Sequence, residues 1–255
     1  MGRFRSSVVR LLKRTRMIGM ARHLRAAFTP ANRQQHHLMV EFYRRFIKPG
    51  DVVFDVGANV GNRSVVFLEL GARVVAVEPQ DKCGRELERR FGSNPAFTLV
   101  RDALGESEGE AELLVSDEST VSSMAKDWVE TVKSTGRFGE TEWQKVQKVH
   151  TTTLDSLVAR HGSPAFCKID VEGYEPVVLS GLSKKIGAIS FEFTPEFFSG
   201  TTRCVEHLSR IGYREFNFSL GESMALELPV WLDGPEILRS LSRVPASAFG
   251  DVYAK

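Results

Sequence analysis

The run Val52-Val53-Phe54-Asp55-Val56 breaks at Gly57 into the turn Gly57-Ala58-Asn59-Val60-Gly61-Asn62, and a second apolar run, Arg73-Val74-Val75-Ala76-Val77, ends in Glu78. A short apolar strand that turns at glycine into a helix start, with another such strand close behind, confines a chain to a doubly wound, Rossmann-like α/β fold. In such a sheet, ligands lie beyond the carboxyl ends of the strands, so Asp55 and Glu78 fall where binding chemistry is expected.

The turn departs from the dinucleotide pattern. Asn59 stands where a pyrophosphate-binding turn needs its second glycine, and a carboxylate, Asp55, precedes the first. That carboxylate repels a pyrophosphate but suits a cofactor that carries an ammonium group and no phosphate. S-adenosylmethionine (SAM) has that chemistry. Glu78 can accept hydrogen bonds from both hydroxyls of a ribose, the role of an acid about 20 residues after the glycine turn. Gly57, Asn59, Gly61 and Asn62 of the turn complete the expected cofactor contacts. Asp102 and the Ala103 backbone, after a strand at Phe97–Val100, are placed to meet an adenine.

At 255 residues and 42% apolar content, the chain can form one undivided domain. Its three cysteines, Cys83, Cys167 and Cys204, have neither disulfide nor zinc spacing, so a reducing, cytoplasmic compartment is expected. The formal charge of +2 hides a split: the first 40 residues carry nine basic side chains and no acid, and the rest of the chain is net acidic. An acidic body argues against a nucleic-acid substrate, whose affinity comes largely from phosphate neutralisation. Residues 1–48 read as a basic helical extension before a domain at 49–255. Phe4, Val8, Leu11, Leu12, Thr15 and Ile18 form an apolar stripe in it, and residues 1–28 are expected either to lie on an anionic membrane surface or to pack on the domain. No stretch is long and apolar enough to span a bilayer.

Along the body, helices are expected over Leu38–Ile47, Asp81–Phe91 and Thr202–Ile211, with further strands at Glu110–Ser116, Ala165–Asp170, Gly187–Phe193, Tyr213–Phe218 and Asp251–Ala254. Residues 117–143 are polar and poorly periodic, and an insertion of that length is commonly a lid or a substrate-binding segment.

The first strand and the one ending at Asp170 flank the switch point of the sheet. Alternation puts Lys168 and Asp170 on one face, and Glu172 follows in a turn that Gly173 permits. Methyl transfer needs the acceptor aligned and its proton removed. Asp170 is the first candidate base and Glu172 the second, with Lys168 to orient them or to stabilise a developing alkoxide. Glu192, a charge in an apolar strand, is read as a substrate contact or as sharing a cation with Asp170. No dense cluster of ligands is evident, and no metal is expected.

At these residues the chain resembles the FkbM-type methyltransferases, a family of SAM-dependent O-methyltransferases. The resemblance rests on Val53-Phe54-Asp55-Val56-Gly57-Ala58-Asn59-Val60-Gly61, on Val77-Glu78-Pro79, on Thr153-Leu154-Asp155, and above all on Lys168-Ile169-Asp170-Val171-Glu172-Gly173 with Glu175. It covers about residues 50 to 195. It implies a class I methyltransferase fold with a mostly parallel seven-stranded sheet covered by helices on both faces. It also implies a small-molecule, sugar, glycolipid or natural-product hydroxyl as acceptor, and a substrate-site serine segment at Ser122 and Ser123. The rival from another class is a non-catalytic SAM-fold module recruited through its basic leader. An amino-group methylase of bases would carry a Pro-Pro-aromatic signature where this chain has Val171-Glu172-Gly173.

Overall fold

The computed structural model describes residues 30–116, 123–125 and 145–255. The basic leader of residues 1–28 with its apolar stripe, Ser122 and most of the 117–143 segment lie outside these residues. In chain order the elements are α1 (Pro30–Tyr43), β1 (Val52–Val56), α2 (Ser64–Glu69), β2 (Arg73–Val77), α3 (Asp81–Phe91), β3 (Phe97–Val100), β4 (Ala103–Leu104) and β5 (Gly109–Val115). After the insertion come β6 (Lys145–Thr152), α4 (Leu154–His161), β7 (Phe166–Ile169), α5 (Glu175–Ser180), β8 (Ala188–Phe193), α6 (Phe198–Arg210), β9 (Phe216–Leu220), α7 (Gly234–Leu241) and β10 (Gly250–Ala254).

Seven strands form one sheet in the order β3-β2-β1-β7-β8-β10-β9. The first five are mutually parallel, and β10 runs antiparallel between β8 and β9. The order reverses between β1 and β7, which places a crevice at their carboxyl ends. Both strands are buried along their whole length, as a parallel sheet covered on two faces requires. Strand alternation divides the core. Val53, Phe166 and Tyr253 face α1 and α2, where the Tyr43 and Phe67 rings meet edge to face at 5.0 Å. Phe54, Val56, Cys167, Ile169 and Phe191 face α4 to α7 through Leu157, Leu179, Leu208 and Ile237.

Several boundaries differ from the sequence reading. The first helix starts at Pro30 and ends at Tyr43, not at Leu38–Ile47, and it buries Met39, Val40, Phe42 and Tyr43. The end of the supposed extension is therefore part of the domain core. The strand expected at Tyr213–Phe218 begins at Phe216 instead, because the Tyr213 hydroxyl turns inward to donate to the Gly187 carbonyl at 2.8 Å. α7 was not anticipated, although Asp233-Gly234-Pro235-Glu236 forms a capping box with proline in its first turn. The extra strand at Glu110–Ser116 does not join the main sheet: β4, β6 and β5 make a separate three-stranded sheet beside it.

Candidate active site

A cleft of about 290 Å³ opens above the carboxyl ends of the strands. Ala103, Leu104, Leu113 and Met124 contribute apolar wall, and Asp55, Asn59, Glu78, Asp170, Glu172 and Glu192 contribute polar groups, with Arg63 and Glu222 also in the lining.

The glycine turn is fastened to its neighbours by backbone. Gly57 and Ala58 both donate to the Val77 carbonyl, and Asp170 donates its N–H to Val56. Gly57 has φ +78°, and a Cβ there would overlap the Asp170 carbonyl oxygen, so only glycine lets the two turns abut. Gly61 serves packing: its missing Cβ makes room for Phe91 and Leu87, and it is not among the cleft-lining residues.

Asp55 is 2% exposed and accepts the Ser64 hydroxyl at 2.5 Å. Burial pushes its carboxyl above the usual range, and the Ser64 bond and the Lys168 charge pull it partly back. Glu78 is equally buried. One of its oxygens accepts the Asn59 N–H and the other the Gln80 N–H, each at 2.8 Å, which fixes the carboxylate plane. Burial raises its pKa to about 7 against the pull of those two donors. Ala103 lines the cleft, whereas Asp102 beside it does not.

Across the switch point, Lys168 is 2% exposed, and its ammonium donates to Asp251 at 2.8 Å and to Asp170 at 3.1 Å. Burial alone would depress the lysine, but the two carboxylates outweigh it and hold the group charged. Of the two roles foreseen for it, the burial favours orienting Asp170. The Asp170 side chain is 40% exposed at the cleft. Glu172 has φ +53°, a left-handed backbone for a non-glycine residue. Its carbonyl accepts the Ser123 hydroxyl at 2.6 Å, so Ser123, foreseen as a substrate contact, is occupied in pinning this turn.

The carboxylate oxygens of Asp170, Glu172 and Glu192 come within 4.8 Å of one another. The expectation that no such cluster exists is thus corrected: β7 and β8 are neighbours, and the turn after β7 folds Glu172 back over both. Burial, followed by the like charges of Glu172, Asp170 and Glu175, pushes the Glu192 carboxyl well above its ordinary value. Asp251, Arg63 and Glu222 were missed. Asp251 was legible only as an acid at the head of the last strand, and Arg63 only as a cation next to the glycine turn.

A Rossmann-like sheet with a cleft at its switch point, lined by acids and by apolar side chains, defines a class I methyltransferase that uses SAM. The lining fits that cofactor: apolar side chains that suit adenine, a fixed carboxylate that suits a ribose diol, and further acids that suit a cationic centre. Residues 55–220 match the methyltransferase FkbM domain, and the chain belongs to that family.

Shorter stretches are similar to curated proteins. One is the dimethyladenosine transferase of Candida glabrata, 40% identical over 60 residues, which cover 24% of this chain and 19% of that protein. Another is the ribosomal protein L11 methyltransferase of Thermotoga maritima, 34% identical over 83 residues and 31% of each chain. The chain thus spans between about a fifth and a third of the length of these relatives. Among solved structures, a TehB-like SAM-dependent methyltransferase from Corynebacterium glutamicum aligns over 94% of this chain and 96% of its own, at 12% identity and a TM-score of 0.47. Aeropyrum pernix fibrillarin with natively bound SAM aligns over 82% and 67%, at 8% identity and a TM-score of 0.43.

Proposed function

We propose that this protein is an O-methyltransferase acting on a hydroxyl of a small molecule, sugar, glycolipid or natural product, with Asp170 as the base. One observation carries the reading. Asp170 reaches the cleft half exposed, while a buried lysine already neutralised by Asp251 holds one of its oxygens. A carboxylate tethered in this way is aimed without being consumed by its ion pair, which is what a general base requires.

When bound, the cofactor supplies an activated methyl group on a sulfonium. The chain's part is to place and deprotonate the acceptor. Asp170 takes the hydroxyl proton at a carboxylate oxygen, and Lys168 keeps that carboxylate oriented. Glu172, held over the site by Ser123, positions the acceptor together with Glu192, its neighbour in the acidic trio. Asp55 and Glu78 hold the cofactor.

Six carboxylates line the cleft against two cations, which supports a neutral or cationic acceptor over a phosphate-bearing one. The short relatives named for adenosine and for a ribosomal protein lend no acceptor to this chain. Among the described residues, no helix is long and apolar enough to cross a membrane. Peripheral membrane contact through residues 1–28 is a proposal of the same kind. Liposome flotation with and without those residues tests it, and equal recovery would remove it.

For the reaction itself, methyl-labelled SAM is incubated with the protein and a fractionated extract of its source. Label recovered as an O-methyl group on a small or lipid-linked product is expected. Label found on nitrogen, in RNA or in protein would overturn the assignment, and absence of any transfer would favour the non-catalytic module.

A further inference from the structure

The charges in the cleft leave one end of the cofactor without an obvious partner. The amino-acid end of SAM carries an ammonium and a carboxylate, and a bare carboxylate placed among six acidic side chains is repelled unless a cation faces it. Lys168 cannot be that cation, because it is 2% exposed and both of its close neighbours are carboxylates that already hold it.

Arg63 is the other basic residue lining the cleft. It stands just after the glycine turn and immediately before α2, on the same turn as Asn59 and Asn62. Its Nη2 donates to Glu222 Oε2 at 2.6 Å and its Nη1 to the Met39 sulfur at 2.7 Å, the latter a weak acceptor. The Arg63 side chain is 17% exposed and that of Glu222 55%, so the pair is partly screened by solvent, and only two of the five guanidinium donors are engaged in these bonds. A guanidinium carries five N–H donors in a planar fork that matches a carboxylate. Held by Glu222 on one side and by Met39 from α1 on another, that fork is fixed in direction before any ligand arrives.

We propose that Arg63 receives the α-carboxylate of SAM, with Glu222 and Met39 as its anchors. The amino-acid end of the cofactor is then read by both signs of charge, Asp55 facing the ammonium and Arg63 the carboxylate. This rests on the assignment of SAM as the cofactor and adds a residue that the glycine-turn motif does not contain.

The test is titration calorimetry of the wild type and of Arg63→Gln with two ligands, SAM and decarboxylated SAM, which lacks only the α-carboxylate. The wild type should prefer SAM by about ten- to a hundredfold, the worth of one charge-assisted pair. That preference runs against the overall field of an acidic cleft, which favours the more positive decarboxylated compound. Arg63→Gln should erase the preference while leaving the affinity for decarboxylated SAM within about twofold. Because the readout is a ratio of two ligands on one protein, a general loss of stability does not imitate it. Arg63→Lys, which keeps the charge, should retain part of the preference and serves if the glutamine variant does not fold. Equal binding of both ligands by the wild type, or an undiminished preference in Arg63→Gln, overturns the proposal. A wild type that binds neither ligand would instead sink the cofactor assignment, a separate and visible outcome.

Discussion

At the tips of β1 and β2, Asp55 and Glu78 are almost wholly buried and held by the chain's own donors, Ser64 on one and two backbone N–H groups on the other. At the tips of β7 and β8, Asp170, Glu172 and Glu192 are partly exposed and crowd one another, and among the described residues a lysine is the close cation. The first arrangement fixes geometry before a ligand comes, as suits a cofactor that must always bind the same way. The second brings three acids together, as suits groups that must move a proton, the roles proposed for them here.

The largest effect that sharpens this contrast is expected from Asp170→Asn. Methyl transfer to the labelled extract should fall by about two to four orders of magnitude, the usual worth of a general base, while SAM affinity by calorimetry stays within about threefold. A joint loss of both would mean that the two sets of acids are not functionally separate.

Gly57→Ala attacks the junction instead. Its Cβ would overlap the Asp170 carbonyl at a positive φ, costing about 3 kcal/mol or more, read as a lower denaturant midpoint together with lost SAM binding. Next comes Asp55→Asn, which keeps shape and removes charge. SAM affinity should drop by about ten- to a hundredfold, and unchanged affinity would show that this acid is structural.

The smallest effect is a pH dependence. The folded pKa of Glu78, about 7, lies above its ordinary 4.5. A raised carboxyl contributes stability that is fully present below about pH 4.5 and is lost as pH rises through 7. Cofactor binding runs the other way, because the ribose hydroxyls favour the ionised, accepting form. SAM affinity should therefore rise with pH by about a few fold in all between pH 5 and 7 and then level off, because the neutral carboxyl keeps one accepting oxygen. Glu78→Gln should flatten that limb, and a limb that persists in the variant belongs to another group, Glu175 being the nearest match at about 7.

What could be read from the chain follows how local each feature is. β1, β2, α3 and β3 are continuous apolar or amphipathic runs with glycine or proline at their ends, and their limits in the structure are nearly those the residues suggest. The helix start at Thr153 was equally local, its hydroxyl accepting the Ser156 N–H. Asp251 was invisible as a partner of Lys168 because the two are 83 positions apart and meet only once β10 inserts between β8 and β9. The nearness of Glu192 to Asp170 was legible as one alternative, but that the two close with Glu172 into one cluster depends on strand adjacency and was not. Ser123, which the family resemblance implied as a substrate contact, does line the cleft, but its bond to the Glu172 carbonyl spans 49 positions and was not legible. Cofactor chemistry lay in contiguous motifs, whereas the electrostatic tuning of the base is a product of tertiary topology.

The abutment of Gly57 against the Asp170 carbonyl also bears on how such enzymes can be recombined. Two loops separated by more than a hundred residues share one van der Waals boundary with no slack, so neither can be exchanged with a homologue's as an independent part. A chimera whose crossover falls between them inherits two surfaces shaped in different contexts. The segment between β5 and β6 touches the same turn through Ser123, whose hydroxyl donates to the Glu172 carbonyl, so its exchange would bear on that seam as well.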